Sequence, residues 1–344
     1  MSQFAGTSLW FVGNAILPDI RQQLHLNSSA LGNITSVVQF GFIAGTLIFA
    51  VLSIADRFNP SKVFFVSSLL AAMANLCILW FAKDPFSLMS FRFVTGFFLA
   101  GIYPVGMKIA ADWYEKGLGK ALGYLVGALV LGTAFPHLLK RSSIYFSWAK
   151  VIVFTSLFAA TGGLLIFLFV NDGPFRKKAL SFHPKNIAGI FRSKDFRAAA
   201  FGYFGHMWEL YTFWAFVPIL IGLNNNLTHS GNNVPFWSFI IIGIGSLSCI
   251  AGGYLSNKIG SARVAFVSLL ISGICCLTSA FFLRSPTPAF LFFMLIWGIA
   301  VISDSPQFSA LVAQTVPQEV KGTALTFVTC IGFSITIGTI QLLN

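Results

Sequence analysis

Charged residues are scarce in this chain. Asp, Glu, Lys and Arg together make up 9% of its 344 residues, whereas soluble domains contain about 25%. Hydrophobic residues make up 56% of the chain, including 39 Phe and 8 Trp. This composition excludes a soluble globular domain and predicts that a lipid bilayer is the main surrounding of the chain.

Sequence patterns for metal, nucleotide or covalent chemistry are also missing. The five cysteines lie inside apolar segments, with no disulfide framework and no metal-ligand spacing. No Gly-x4-Gly-Lys-Ser/Thr motif, serine elbow, zinc box or nucleotide-binding glycine pattern occurs. We therefore expect no cofactor, no metal site and no ATP-driven step.

Long apolar runs dominate what is present. Runs that can cross about 30 Å of hydrocarbon predict about eleven spanning helices. These lie at 2–19, 31–54, 63–82, 86–112, 118–139, 144–170, 198–222, 234–256, 263–283, 287–315 and 322–343. The sequence thus predicts an all-α membrane protein.

The net charge of +12 follows the predicted topology. With the N-terminus inside, the inner loops hold fourteen Lys or Arg residues and the outer loops hold five. Such a bias orients membrane proteins with their basic loops in the cytoplasm. The charge therefore predicts a cytoplasmic N-terminus, and we expect no nucleic acid partner.

A loop sequence occurs twice. The segment 55–67 returns at 256–268, so that Asn257 follows Asp56 by 201 positions. An internal repeat at this spacing predicts two similar halves. In membrane proteins, two halves repeated in parallel are typical of alternating-access transport.

The longest polar stretch separates the halves. We predict an N-terminal six-helix bundle at 1–170, a basic linker at 171–197 and a C-terminal bundle of five helices at 198–344. The linker is expected to be a solvated segment anchored by headgroup phosphates. Alternatively, residues 186–191 form an amphipathic helix on the inner leaflet.

Two polar loops resemble the signature of a known family. The loop Asp56-Arg57-Phe58-Asn59-Pro60-Ser61-Lys62 and its echo at 253–260 are similar to the signature between helices 2 and 3 of the major facilitator superfamily. The run 92–96, followed by Gly101, is similar to a second signature in helix 4. Gly298 and Pro306 follow Gly96 and Pro104 by 202 positions, which extends the repeat beyond the loops.

The resemblance implies a two-bundle fold with a pseudo-twofold repeat. Family members have twelve helices, and this chain is predicted to have eleven. We interpret it as truncated or mis-started, with a functional eleven-helix form as the alternative.

Two further segments, 205–211 and 304–308, resemble a bacterial branch grouped with nitrate and cyanate carriers. This resemblance implies a bacterial inner membrane. Nitrate carriers place an arginine in helix 2 and another in helix 8. The spans 31–54 and 234–256 contain no Lys or Arg before their ends, which counts against nitrate as the cargo.

Three ionisable residues in the apolar interior are candidates for proton coupling: Glu209, His206 and Asp304. A charge in hydrocarbon costs about 3 kcal/mol on insertion scales, so each of these residues is expected to have a functional or structural role that offsets this cost. Helix rise places His206 and Glu209 about 14 and 18 Å deep, on one face. We expect Glu209, beside His206, to carry the proton. The alternative is a static polar pair that holds two helices together.

Candidate substrate contacts are Arg92, Asn14, Gln39 and Gln307. Arg92 can bind an anion through its planar guanidinium. Alternatively, it holds the backbone of helix 1, the interpretation that its motif favours. Asn14 and Gln39 are uncharged polar residues of helices 1 and 2. Gln307 lies one turn after Asp304, where Pro306 frees carbonyl groups to face a cavity.

Candidate gating residues lie in the two loops and at the foot of helix 4. They are Asp56, Arg57, Lys62, Asp112, Asn257, Lys258 and Arg263. We expect Asp112 or Glu115 to pair with Arg57 when the half-bundles meet. Lys108 and Asp112, four positions apart, are predicted to form an ion pair.

These features predict a secondary active transporter that acts as a monomer. Its cargo is a small solute, an organic anion or another small metabolite, moved by alternating access with proton coupling, as a symporter or an antiporter. The alternatives are a non-transporting membrane sensor or receptor with a carrier fold and a membrane-embedded enzyme. The enzyme would need a catalytic group in an interfacial loop, and the longest loop offers mainly basic residues.

Overall fold

A computed structural model describes residues 1–114, 118–141, 147–176, 187–317 and 320–344. Within these ranges the chain forms seventeen α-helices and no β-strand. The first nine are α1 (Ser2–Thr7), α2 (Val12–Gln23), α3 (Ala30–Val51), α4 (Ile54–Arg57), α5 (Pro60–Phe81), α6 (Pro85–Leu99), α7 (Tyr103–Trp113), α8 (Leu118–Lys140) and α9 (Trp148–Phe169). The others are α10 (Ile187–Ile190), α11 (Lys194–Thr228), α12 (Val234–Gly243), α13 (Gly245–Ile259), α14 (Ser261–Leu283), α15 (Thr287–Ser303), α16 (Ser305–Gln314) and α17 (Lys321–Leu343).

In the described ranges, nine helical segments are long and apolar enough to cross a membrane. They correspond to nine of the eleven predicted spans, and the all-α prediction is confirmed. The predicted span 2–19 is divided into the short helices α1 and α2. The predicted span 198–222 lies inside α11, which carries the polar side chains of His206 and Glu209 and is not one of these nine segments.

Capping side chains set several helix ends. The Asn59 side chain accepts a hydrogen bond from the backbone N–H of Lys62 at the start of α5. Asp84 and Ser87 form a reciprocal capping box at α6, and the Ser87 N–H holds the pKa of Asp84 below its ordinary value. Ser193 caps α11, which therefore begins at Lys194, four residues before the predicted start.

The predicted linker lies partly outside the described residues, at 177–186. Of the segment predicted as an amphipathic helix, only the four-residue α10 is helical in the described ranges. Residues 194–197, placed in the linker by the sequence, belong to α11.

The repeat is visible in helix packing. A Cβ added to Gly96 in α6 would lie 2.2 Å from the carbonyl oxygen of Val38 in α3. A Cβ added to Gly298 in α15 would lie 2.2 Å from the carbonyl oxygen of Ile241 in α12. Glycine thus allows the same backbone approach in both parts of the chain.

Two faces of the molecule are named by their loops. The Asp56 face carries the loop between α3 and α5, and the Asp84 face carries the loop between α5 and α6. At the Asp84 face, the side chain of Gln341 in α17 donates to the Ser36 hydroxyl of α3 at 2.9 Å. Near the Asp56 face, the hydroxyls of Tyr124 in α8 and Tyr254 in α13 lie 3.2 Å apart. The helices before and after residues 171–197 therefore meet at both faces.

Candidate functional site

Two predicted proton-coupling residues are in direct contact. Nδ1 of His206 lies 2.8 Å from Oδ1 of Asp304, and each side chain is 1% exposed. His206 lies in the middle of α11, and Asp304 lies at the junction of α15 and α16. Burial makes two separate charges costly, so the stable forms of the pair are those that share a proton or form an ion pair.

Pro306 creates the junction that holds Asp304. Proline has no N–H, so the carbonyl of Ile302, four positions earlier, loses its helical donor. The thiol of Cys249 in α13 donates to that carbonyl, with Sγ 3.6 Å from the oxygen. The predicted opening of the backbone at Pro306 is therefore used by a neighbouring helix.

Glu209 has a different partner from the one expected. Nε1 of Trp297 in α15 donates to Oε1 of Glu209 at 2.6 Å. The predicted neighbour of Glu209, His206, contacts Asp304 instead. We name Glu209, His206, Asp304 and Trp297 the polar cluster.

The sequence analysis did not identify Trp297, because tryptophan is an apolar residue that membrane proteins concentrate at the membrane interfaces rather than at polar sites. Trp297 lies in the interior of α15 and is 6% exposed. A tryptophan near the centre of a predicted span, next to the repeat glycine Gly298, was the available signal.

Six aromatic side chains form a second cluster, the aromatic cluster. Trp10 and Phe11 come from the break between α1 and α2, Phe42 from α3, Tyr211 and Trp214 from α11, and Phe333 from α17. The ring centroids of contacting pairs are 4.5 to 6.3 Å apart. Three rings come from each side of the 171–197 segment, so this cluster lies between the halves.

Several polar atoms at this cluster have no hydrogen-bond partner among the described residues. They include Nε1 of Trp10, Nε1 of Trp214 and both amide atoms of Gln39, one turn before Phe42. All three side chains are at most 1% exposed. These atoms make the cluster polar as well as aromatic. Burying them without a hydrogen-bond partner costs free energy.

Arg92 contacts the same region from α6. Its Nη2 donates to the carbonyls of Leu9 and Trp10 at 3.0 and 2.5 Å, and Nη1 donates to Oδ1 of Asn75 at 3.3 Å. The contact with the backbone of helix 1 is the one that its motif favours. The guanidinium is fully buried, Nε has no partner and no carboxylate pairs with it within the described ranges.

The other two candidate substrate contacts, Asn14 and Gln307, are not members of the aromatic cluster. Asn14 in α2 donates to the Thr35 hydroxyl of α3 at 2.8 Å, which uses one of the two N–H groups of its amide. Gln307 is 2% exposed and lies in α16, one turn beyond Asp304.

The loop at the Asp56 face is held by ionic contacts. Asp56 forms an ion pair with Lys108 of α7, so Lys108 has a different partner from the predicted Asp112. Arg176 pairs with Asp172 and donates to the carbonyl of Phe58 at 2.9 Å. These contacts join the α4 loop to α7 and to the segment after α9.

The remaining gating candidates are placed as follows. Arg57 is exposed, and of its two predicted partners Glu115 lies outside the described residues. Asp112 is buried, and its carbonyl accepts from the N–H of Phe175 at 3.0 Å. Exposed positions are also found for Lys62, Asn257, Lys258 and Arg263.

Tyr254, one turn before Lys258, makes the contact between the halves that the sequence did not reveal. Its hydroxyl meets that of Tyr124, and the ammonium of Lys120 lies 4.8 Å from the centre of its ring. Glycines of α8 allow the close approach of α13 beside this contact, since a Cβ added to Gly127 would lie 2.9 Å from the carbonyl oxygen of Ser246.

Known proteins resemble this chain along its length. The family model described as Major Facilitator Superfamily matches residues 1–339. The chain is 26% identical to a "Multi-drug resistance efflux pump PmrA homolog" of Lactococcus lactis subsp. lactis (strain IL1403), over 77% of this chain and 66% of that protein. It is 26% identical to the "Nitrite extrusion protein" of Bacillus subtilis (strain 168), over 80% of this chain and 68% of that protein.

Its fold is similar to that of the proton:xylose symporter XylE, solved with 6-bromo-6-deoxy-D-glucose. The TM-score is 0.77 at 13% identity, with 99% of this chain and 86% of that chain covered. The chain spans 50% to 68% of the length of the curated relatives that it matches.

Proposed function

The chain belongs to the major facilitator superfamily of membrane transporters, and we propose that it is a secondary active transporter coupled to protons. It moves a small solute, an organic anion or another small metabolite, by alternating access. The solute passes between the halves 1–170 and 198–344, joined by the linker 171–197. In this proposal the chain is a carrier and not an enzyme.

The contact between His206 and Asp304 carries the proposal. A carboxylate and an imidazole 2.8 Å apart, both 1% exposed, can bind and release one proton as a unit. The pair joins α11 to the break between α15 and α16, so its protonation changes the interaction between these elements. We assign the leading proton site to this pair, and Glu209 to tuning its charge.

Alternating access is supported by the contacts between the halves. At each face they include hydrogen bonds between side chains, such as Gln341 with Ser36 and Tyr124 with Tyr254. Such contacts exchange readily with water, which allows either face to open while the other stays closed. The loop residues at the Asp56 face bias this equilibrium.

The proposed location is the inner membrane of a bacterium, with the Asp56 face and the N-terminus in the cytoplasm. The basic loops support this orientation, and the bacterial relatives support the bacterial location. Because both halves lie in one chain, we propose a monomer as the transporting unit.

The test uses proteoliposomes that contain a pH-sensitive dye. A panel of labelled organic acids, nitrite and neutral metabolites is supplied with and without a pH gradient. We expect at least one solute to accumulate only when the gradient is present, and the dye to report proton movement together with that solute. Asp304→Asn should abolish accumulation, while the exposed Asp195→Asn should not. Accumulation of no solute, with saturable binding retained, would instead favour the sensor.

A further inference from the structure

We infer that the aromatic cluster is the cargo site and that it binds a planar aromatic carboxylate. The inference rests on the proposed function, because it names the solute class of that transporter. It is carried by three features of the cluster: flat rings from both halves, unpaired buried donors and one adjacent buried cation.

The rings provide flat surfaces that separate when the halves move. Trp10 and Phe333 are stacked, with an interplanar angle of 21° and centroids 5.8 Å apart. Phe11 and Tyr211 are also stacked at 21°, with centroids 6.3 Å apart. One ring of each pair belongs to each half. A planar ring that enters between the halves can replace these contacts with equivalent stacking.

The unpaired polar atoms are mainly donors. Nε1 of Trp10, Nε1 of Trp214, Nε2 of Gln39 and Nε of Arg92 have no partner within the described ranges. The acceptor among these four residues is Oε1 of Gln39. A ligand that supplies acceptor oxygens therefore matches the cluster better than one that supplies donors. A carboxylate supplies two oxygens, each with two lone pairs.

The charge at the cluster has the matching sign. Arg92 is fully buried and donates to the backbone of Trp10, without a carboxylate partner in the described part of the chain. The carboxylate of Glu209 lies on another side of α11, since Glu209 contacts Trp297 of α15 while Tyr211 contacts Phe333 of α17. An anion is attracted to this cation, whereas a cationic solute is repelled.

A single arginine also separates this site from one for a small inorganic anion. With one cation and no second one from α3 or α12, most of the binding free energy must come from the rings. The predicted solute therefore needs a ring as well as a charge, and one proton on the His206–Asp304 pair would balance that charge during transport.

The first experiment measures binding of benzoate to the purified chain in lipid nanodiscs by calorimetry. Its comparators are acetate, which lacks the ring, benzamide, which lacks the charge, and cyclohexanecarboxylate, which lacks planarity. The inference predicts that benzoate binds about tenfold more tightly than each comparator, the effect of one hydrogen bond to a charged group or one stacked ring. An affinity for acetate or cyclohexanecarboxylate equal to that for benzoate would overturn the role of the rings. An affinity for benzamide equal to that for benzoate would overturn the role of the charge.

The second experiment uses substitutions that keep an aromatic ring at each position. Trp10→Phe and Trp214→Phe each remove one indole N–H donor, and each is expected to weaken benzoate binding about tenfold. Trp80→Phe is the matched control, because Trp80 is 65% exposed on the outer surface. Unchanged benzoate affinity in both cluster variants, with unfolding temperatures that match the control, would overturn the assignment.

The two proposals can fail separately. Gradient-driven accumulation of a solute together with absence of benzoate binding would reject the aromatic carboxylate and leave the transporter. Tight benzoate binding that depends on Trp10 and Trp214, without accumulation of any solute, would reject transport and leave the binding site.

Discussion

Oδ1 of Asp304 lies 2.8 Å from Nδ1 of His206, and this contact joins the middle of α11 to the break between α15 and α16. The break exists because Pro306 cannot donate to the carbonyl of Ile302. A residue without polar atoms in its side chain thus helps to position the charge pair. Coupling between a proton and the motion of the halves would act through this contact.

Glu209 is expected to tune the pair. It lies one turn from His206 on α11, and its Oε1 accepts a hydrogen bond from Nε1 of Trp297. Glu209→Gln keeps the shape of the side chain and removes its charge. We predict that the rate of gradient-driven uptake changes while accumulation is retained, because the His206–Asp304 pair carries the proton. A Glu209→Gln variant that exchanges solute but cannot accumulate it would instead make Glu209 the proton site.

The repeat glycines should respond alike to alanine. Gly96→Ala and Gly298→Ala each place a methyl group 2.2 Å from a backbone carbonyl oxygen, and helices cannot relax locally at such a contact. We expect a loss of about 1–3 kcal/mol of stability in each variant. Gly273→Ala in α14 is the control, because nothing lies within 4 Å of its added Cβ. Unfolding temperatures in detergent would test this, and tolerance of only one repeat glycine would contradict it.

The sequence predicted where the helices lie along the chain, but not which face of each helix points into the protein. Lipid is as apolar as a protein core, so hydrophobic periodicity does not show which side of a membrane helix faces inward. Polar and small residues do mark the face of a membrane helix that packs against other helices. The repeat glycines and the buried positions of His206 and Asp304 could therefore be predicted. The aromatic cluster could not be predicted, because Tyr211 and the lipid-exposed Phe201 look alike in sequence.

Partner choice was the second limit. The spacing of His206 and Glu209, and of Lys108 and Asp112, suggested pairs within one helix. In the structure, Asp304 contacts His206 and Asp56 contacts Lys108, each from another helix. Tertiary packing brought a carboxylate from elsewhere in the fold to each basic side chain, which one-dimensional spacing cannot anticipate.

Arg92 should contribute to both stability and binding. Arg92→Lys keeps the charge but cannot reach the carbonyls of Leu9 and Trp10 and Oδ1 of Asn75 together. We expect a loss of about 1.5–3 kcal/mol in the free energy of unfolding, the range for hydrogen bonds to charged groups. If Arg92 also attracts the solute, Arg92→Lys should keep more affinity than Arg92→Gln. Equal affinity in the two variants would leave Arg92 with a purely structural role.

The Asp56–Lys108 ion pair should govern rate rather than affinity. Each side chain is about one-fifth exposed, at 22% and 21%, so the loss of the pair should cost less than about 1 kcal/mol of stability. We predict that Asp56→Asn and Lys108→Gln each slow uptake severalfold at an unchanged KM, because the loop biases the two-state equilibrium. The double variant should be no slower than either single one. Additive slowing would show that the residues act independently.

The proton site itself can be measured without knowing the cargo. Infrared spectra of the protein in nanodiscs, recorded across a pH titration, report the C=O stretching band of a protonated carboxylic acid. The account predicts that the titrating band is present in the wild type and in Glu209→Gln, is displaced in pH by His206→Gln and is absent in Asp304→Asn. A band that is lost in Glu209→Gln and retained in Asp304→Asn would contradict it.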